Sequence, residues 1–135
     1  MKFHKDGTVP SYPACFVFGS NLSGIHGAGA AKVANQKYGA EWGKGAGFMQ
    51  RGDVCCYAIP TKNETIDTMP LVRIEPYIKS FVAYTHLRPD LEFFVTGVGC
   101  GLAGYKHKDI APLFKGCGNN CSFPYEWKEY LNETE

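Results

Sequence analysis

Two stretches of this chain are rich in glycine and are placed where a backbone could cradle an anion. The first runs from Gly19 to Gly29, with Gly24 and Gly27 inside it; the second contains Gly97, Gly99, Gly101 and Gly104. Glycine lets the main chain adopt conformations closed to other residues and come close to a ligand. Where such a loop opens a helix, free N–H groups and the positive end of the helix dipole favour phosphate. The chemistry these segments point to is capture of a phosphate-containing nucleotide. No Gly-Lys-Ser/Thr follows either loop and the dinucleotide G-x-G-x-x-G fingerprint is not in its usual place, so neither is a standard nucleotide loop.

Reactive side chains near the loops are few. His26 lies inside the first loop, where a ring tunable near neutrality serves as proton donor or phosphate partner; the competing reading is an exposed loop histidine. Lys62 follows Pro60-Thr61 at a strand end, suited either to neutralising a phosphate or to an ordinary surface role. Cys100 stands between two glycines, yet no His or Asp adjoins it to generate a thiolate. His4, His86 and His107 read as surface residues, and Trp42 and Trp127 as core or edge aromatics able to stack on a base.

The elements that must position these residues follow from periodicity. Ala14–Phe18 is an apolar run that predicts a buried strand turning at Gly19-Ser20-Asn21. The alanine-rich stretch 30–38 predicts a helix stopped by Gly39. Residues 39–52, rich in glycine, read as loop or short irregular strand, and Val54–Ile59 as a second strand ended by Pro60. Leu71, Ile74, Ile78, Phe81 and Val82 recur at helical spacing, with Pro76 tolerated if the helix begins about a turn earlier. Arg88-Pro89-Asp90 ends that helix; a third strand over 91–96 runs into the second glycine loop. A short helix over 108–115 and a final turn or helix over 123–131 complete the reading. Strands alternating with helices imply a largely parallel or mixed sheet in a three-layer α/β/α fold, with both loops at one end.

Composition bounds the rest. The 135 residues are 44% hydrophobic and 20% charged with a formal net charge of +1, enough for one domain over 1–135 and no basic face for nucleic acid. The first residues hold no apolar leader, and no run approaches the roughly 18 apolar residues of a membrane span. A cytoplasmic protein with a small-molecule partner, and without nucleic-acid or membrane partners, is expected. Without an export signal the six cysteines read as reduced thiols, four of them small hydrophobes in strands. Cys117 and Cys121 supply only half of a zinc site, so no metal is expected, and no cofactor is implied.

Three motifs in order carry a family resemblance. Phe18-Gly19-Ser20-Asn21 leading into Gly24-Ile25-His26-Gly27-Ala28-Gly29-Ala30 resembles the macro-domain stretch in which an Asn-ending strand precedes glycines and a helix. Tyr57-Ala58-Ile59-Pro60-Thr61 is similar to that family's central strand, and Gly99-Cys100-Gly101-Leu102-Ala103-Gly104-Tyr105 to its second loop. The match spans about residues 14–115 and resembles a compact, divergent branch associated with bacterial and phage genomes. It implies binding of ADP-ribose, with Gly24–Gly29 and Gly99–Tyr105 along the phosphates, Asn21 near the distal ribose and Tyr105 as an aromatic lid. The family's adenine-binding Asp has Asp6 as its candidate here, and the loop carboxylate of hydrolytic members is replaced by Ala28. The expected ligand contacts are thus Gly19, Ser20, Asn21, Gly24, Ile25, His26, Gly27, Ala28, Gly29, Thr61, Lys62, Gly99, Cys100, Gly101, Leu102, Ala103, Gly104 and Tyr105. A binding module that sequesters a nucleotide signal is the favoured reading. The alternative is a hydrolase of ADP-ribose-linked substrates using Asn21, His26 or Lys62 to place water; a third reading treats the loops as turns of an interaction protein.

Overall fold

The computed structural model describes residues 1–131. Among them six strands form one sheet: β1 (Lys2–His4), β2 (Cys15–Asn21), β3 (Gly47–Arg51), β4 (Val54–Lys62), β5 (Phe93–Val95) and β6 (Cys121–Pro124). Their order across the sheet is β1-β6-β5-β2-β4-β3, parallel throughout except for the β3–β4 hairpin. The helices are α1 (Gly29–Lys37), α2 (Leu71–Leu87), α3 (His107–Ile110) and α4 (Lys128–Leu131), with 3₁₀ turns at Ala111–Phe114 and Tyr125–Trp127.

Strand alternation divides the apolar side chains between two layers. Cys15, Val17, Cys55, Tyr57, Ile59, Phe93 and Val95 point to one face, where Ile74, Ile78 and Phe81 of α2 meet them. Phe16, Phe18, Cys56, Ala58 and Phe94 point to the other, covered by Ala31 and Ala34 of α1. The architecture is therefore three-layer α/β/α. Small residues on α1 let it lie close to the sheet, and Tyr38 at its end stacks on Phe16 with ring centroids 4.6 Å apart. On the opposite face Phe114 and Trp127 pack with ring centroids 4.9 Å apart, and the Trp127 indole N–H donates to His107 Nδ1.

Several elements depart from the periodicity reading. β2 continues through Gly19-Ser20-Asn21, because these residues go on pairing with Ile59, Pro60 and Lys62 of β4, with a shift of register between Ser20 and Asn21. β4 runs on past Pro60, because β3 reaches only to the Gly47↔Ala58 pair and leaves that side of the strand open to a residue without an N–H. Helix α2 starts five residues before Pro76; the carbonyl this frees belongs to Val72, a residue exposed to solvent. β5 holds only three residues, and the helix expected over 108–115 is α3 followed by a 3₁₀ turn.

β1 and β6 are strands that the alternation of strand and helix did not predict. The final segment enters the sheet as β6 before it turns helical. His4 is not a surface residue: it is half-buried, stacked on Phe94 at 3.7 Å between ring centroids. All six cysteines are free; Cys15, Cys55, Cys56 and Cys121 are buried, Cys100 and Cys117 half-buried. No helix among the described residues is long and apolar enough to cross a membrane.

Candidate functional site

The C-terminal ends of β2, β4 and β5 and the segment after β1 surround one cleft of about 770 Å³. Ligands of open α/β sheets bind at this end of the strands. Asn21 and Gly101 both line it, so the two glycine loops lie side by side. Fourteen of the expected contacts are among its lining residues: Gly19, Ser20, Asn21, Ile25, Gly27, Ala28, Gly29, Thr61, Lys62, Gly99, Cys100, Gly101, Leu102 and Ala103.

The first loop is rigidly built. Asn21 Oδ1 accepts from the N–H of Ile25 (2.9 Å) and from the Ser23 hydroxyl (3.0 Å), while its amide donates to the Ile25 carbonyl at 2.9 Å. Asn21 thus shapes the loop and spends its side chain on it. The loop ends at α1, whose N-cap is Ala28: no side chain caps it and no acidic residue occupies the first turn. Gly29 opens the helix with φ +59°, a left-handed conformation that only glycine adopts without strain. The N–H groups of Gly29, Ala30 and Ala31 consequently face no side-chain acceptor, and all three residues line the cleft.

The second loop offers a matching set. Within it Cys100 N–H donates to Gly97, Gly104 N–H to Gly101, and Tyr105 N–H to Gly99. Gly99, Gly101, Leu102 and Ala103 make no such N–H bond among the described residues, and each lines the cleft. Gly101 lines the cleft, and a Cβ placed on it would meet no protein atom within 4 Å.

Charge in the cleft is sparse. Among the described residues its lining holds one acidic side chain, Asp6, and one basic side chain, Lys62, and Lys62 makes no salt bridge among them. Asp6 reaches the site because β1 pairs with β6 and delivers the following segment over the end of β5, where Gly97 N–H donates to Asp6 Oδ1 at 3.2 Å. Cys100 lines the cleft as a thiol: burial, with Asp6 and Asp109 nearby, pushes its pKa up to about 12. A protonated thiol with no base beside it is a poor nucleophile. No cluster of three or more metal-ligating side chains exists among the described residues.

Four expected contacts lie outside the cleft lining. His26 is buried and turned into the protein, its Nε2–H donating to the carbonyls of Glu41 (2.8 Å) and Lys44 (3.1 Å) and its ring edge-on to Phe18. It fastens the first loop to the following segment and is not positioned to act on a ligand. Gly24 serves the same junction: its carbonyl accepts from Gly43 N–H at 2.9 Å, and a Cβ on it would fall 2.3 Å from Gly43. Tyr105 is not a lid. Its hydroxyl donates to the Met69 carbonyl and its ring packs on the core, which ties the second loop to the β4–α2 connection. Gly104 provides the turn before it, at φ +87°.

The cleft also contains residues outside the expected set, among them Val9, Phe16, Ala31, Ile66 and Thr96. Ala31 was legible from its place in the first turn of α1. Val9 and Ile66 belong to polar, turn-rich segments that carry no periodic signal. Comparisons with protein-family models, with curated proteins and with solved structures give no match for this chain.

Proposed function

We propose that this protein binds ADP-ribose, or a closely related phosphate-containing nucleotide, in the cleft and retains it without rapid turnover. The observation that carries the reading is the pairing of two backbone donor sets on one cleft: Gly29, Ala30 and Ala31 at the start of α1, and Gly99, Gly101, Leu102 and Ala103 opposite. A diphosphate has enough acceptor oxygens to use both sets, and a helix start with no acidic side chain favours its negative charge. Asp6 supplies a hydrogen-bond acceptor for an exocyclic amino group such as that of adenine, in a cleft whose lining also includes Phe16. Lys62 and the polar end of β4 lie toward the far sugar.

Capture is favoured over hydrolysis because no acid–base pair is assembled in the cleft among the described residues. Ala28 stands where a loop carboxylate would orient water, His26 points away, and the Cys100 thiol is held protonated. A positioned general base contributes about 100- to 10,000-fold in rate, so its absence leaves turnover slow. The test is to incubate the purified protein with ADP-ribose and with an ADP-ribosylated peptide, denature it, and identify what is released by mass spectrometry. Recovery of intact ligand in stoichiometric amount supports capture. Turnover on the order of 1 per second or faster would establish an enzyme instead, and absence of binding would remove the reading.

A further inference from the structure

Ile66 is the non-glycine residue with positive φ among the described residues, at φ +66°. A β-branched side chain in the left-handed region is a steric outlier, and such positions persist only where the surroundings hold them. Here they do. Asn63 Oδ1 accepts from Thr65 N–H (2.9 Å) and Asp67 N–H (3.0 Å), and Asn63 N–H donates to the Asp67 carbonyl at 2.8 Å. None of these bonds uses the Ile66 side chain, which is 39% exposed. Glycine or asparagine would serve the turn with less strain. The reason for isoleucine therefore lies outside the turn, and the side chain lines the cleft.

Its position within the cleft follows from the sheet order. Asp6 sits over the end of β5, Lys62 ends β4 and Ile66 follows it, and β2 lies between those strands, so Asp6 and Ile66 are at opposite ends. Two further exposed apolar side chains belong to the Ile66 end. Ile25 is bonded to Asn21, which pairs with Lys62, and Leu102 precedes Ala103, whose carbonyl accepts from the Thr68 hydroxyl at 3.1 Å. Ile25 and Leu102 are 44% and 75% exposed, and both line the cleft with Ile66. Phe16, the aromatic side chain lining the cleft, sits on β2 between Phe94 of β5 and Cys56 of β4. The Ile66 end combines aliphatic groups with Lys62, which suits a sugar: C–H faces against the aliphatic chains and hydroxyls toward the polar groups.

We propose that Ile66 is a specificity-determining residue which, with Ile25 and Leu102, packs on the second sugar of a nucleoside diphosphate sugar and selects ADP-ribose over ADP. The inference rests on the ADP-ribose reading above. It is tested by titration calorimetry of the full chain with ADP-ribose and with ADP, in wild type, Ile66→Gly and Ile66→Asn. Wild type prefers ADP-ribose by about tenfold or more, the scale expected for burying a few methylene groups. Both variants lose most of that preference while ADP affinity stays within about twofold, and the Ile66→Gly thermal midpoint is at or above wild type because strain is relieved. Retained preference in both variants, or no preference in wild type, overturns the role of Ile66 alone. A wild type that binds neither nucleotide removes the ADP-ribose reading and this inference with it.

Discussion

The carboxylate of Asp6 and the N–H of Gly97 are 3.2 Å apart across 91 residues of sequence. That approach depends on the absence of a side chain at Gly97, where a Cβ would lie 2.9 Å from Asp6 Oδ2. The contact joins the segment after β1 to the start of the second glycine loop, so it sets both the shape of that end of the cleft and the place of the Asp6 carboxylate in its lining.

Gly97→Ala is expected to displace the Asp6 carboxylate, and Asp6→Ala to remove it. A hydrogen bond to a charged group contributes roughly 1.5–3 kcal/mol, so each change should weaken ADP-ribose binding by about tenfold or more. Calorimetry on both variants checks this. Unchanged affinity in both would mean that the carboxylate takes no part in recognition.

Gly101→Val places a branched side chain in space that meets no protein atom within 4 Å. Its φ is not in the left-handed region, so the fold should tolerate the change with a thermal midpoint close to wild type. ADP-ribose binding should fall well beyond threefold, about 0.65 kcal/mol, since the added methyl groups occupy the cleft. A variant that binds within that margin would move the phosphates away from the second loop.

His26→Ala should act on stability. It removes a buried ring and leaves the carbonyls of Glu41 and Lys44 without their donor in a part-buried setting, a loss of about 1–3 kcal/mol. Denaturant unfolding should show a lower midpoint, with ligand binding weakened only as far as the loop loosens. An unchanged midpoint together with a lost activity would make His26 a reacting group and reverse its assignment.

Acid should destabilise the protein partly through His4. Burial lowers its pKa below the ordinary 6.5; Nε2–H donates to the Val95 carbonyl and Nδ1 accepts from Ser122. The unfolded chain therefore binds the proton more readily than the native one. Stability from this group is fully present above about pH 6.5 and is lost as pH falls through that value toward the lowered native pKa. Thermal midpoints measured between pH 7 and pH 5 should fall, and His4→Gln should flatten part of that slope. An identical slope in the variant would place the acid sensitivity elsewhere.

The parts of the fold legible in sequence were those with strong local periodicity. β2, α1, β4 and α2 each carry an apolar run or a helical stripe, and the glycine loops follow directly from where those elements stop. β1 and β6 were hidden because three- and four-residue strands gain their identity from pairing with each other across the whole chain. Asp6 was visible only through the family resemblance, because a carboxylate in a polar turn has no local signature. His26 and Tyr105 were misplaced for the same kind of reason: a polar ring in a glycine loop faces the ligand or the protein according to tertiary contacts. Here the carbonyls of Glu41, Lys44 and Met69 decide it.

The pairing of β1 with β6 also bears on how the cleft is put together. Both glycine loops are anchored by β2, β4 and β5, whereas Asp6 is delivered by a strand whose sheet partner begins at Cys121. His4 and Ser122, which clasp that pair, are separated by 118 residues, so the loop closed by their meeting is nearly the whole chain. The acidic end of the cleft is therefore the part whose sheet support depends on the longest loop closure in the chain. A nascent chain lacking β6 holds both glycine loops but lacks the β1–β6 pairing, and the segment that carries Asp6 is then fastened only through His4 to Val95 and Phe94 and through Asp6 to Gly97.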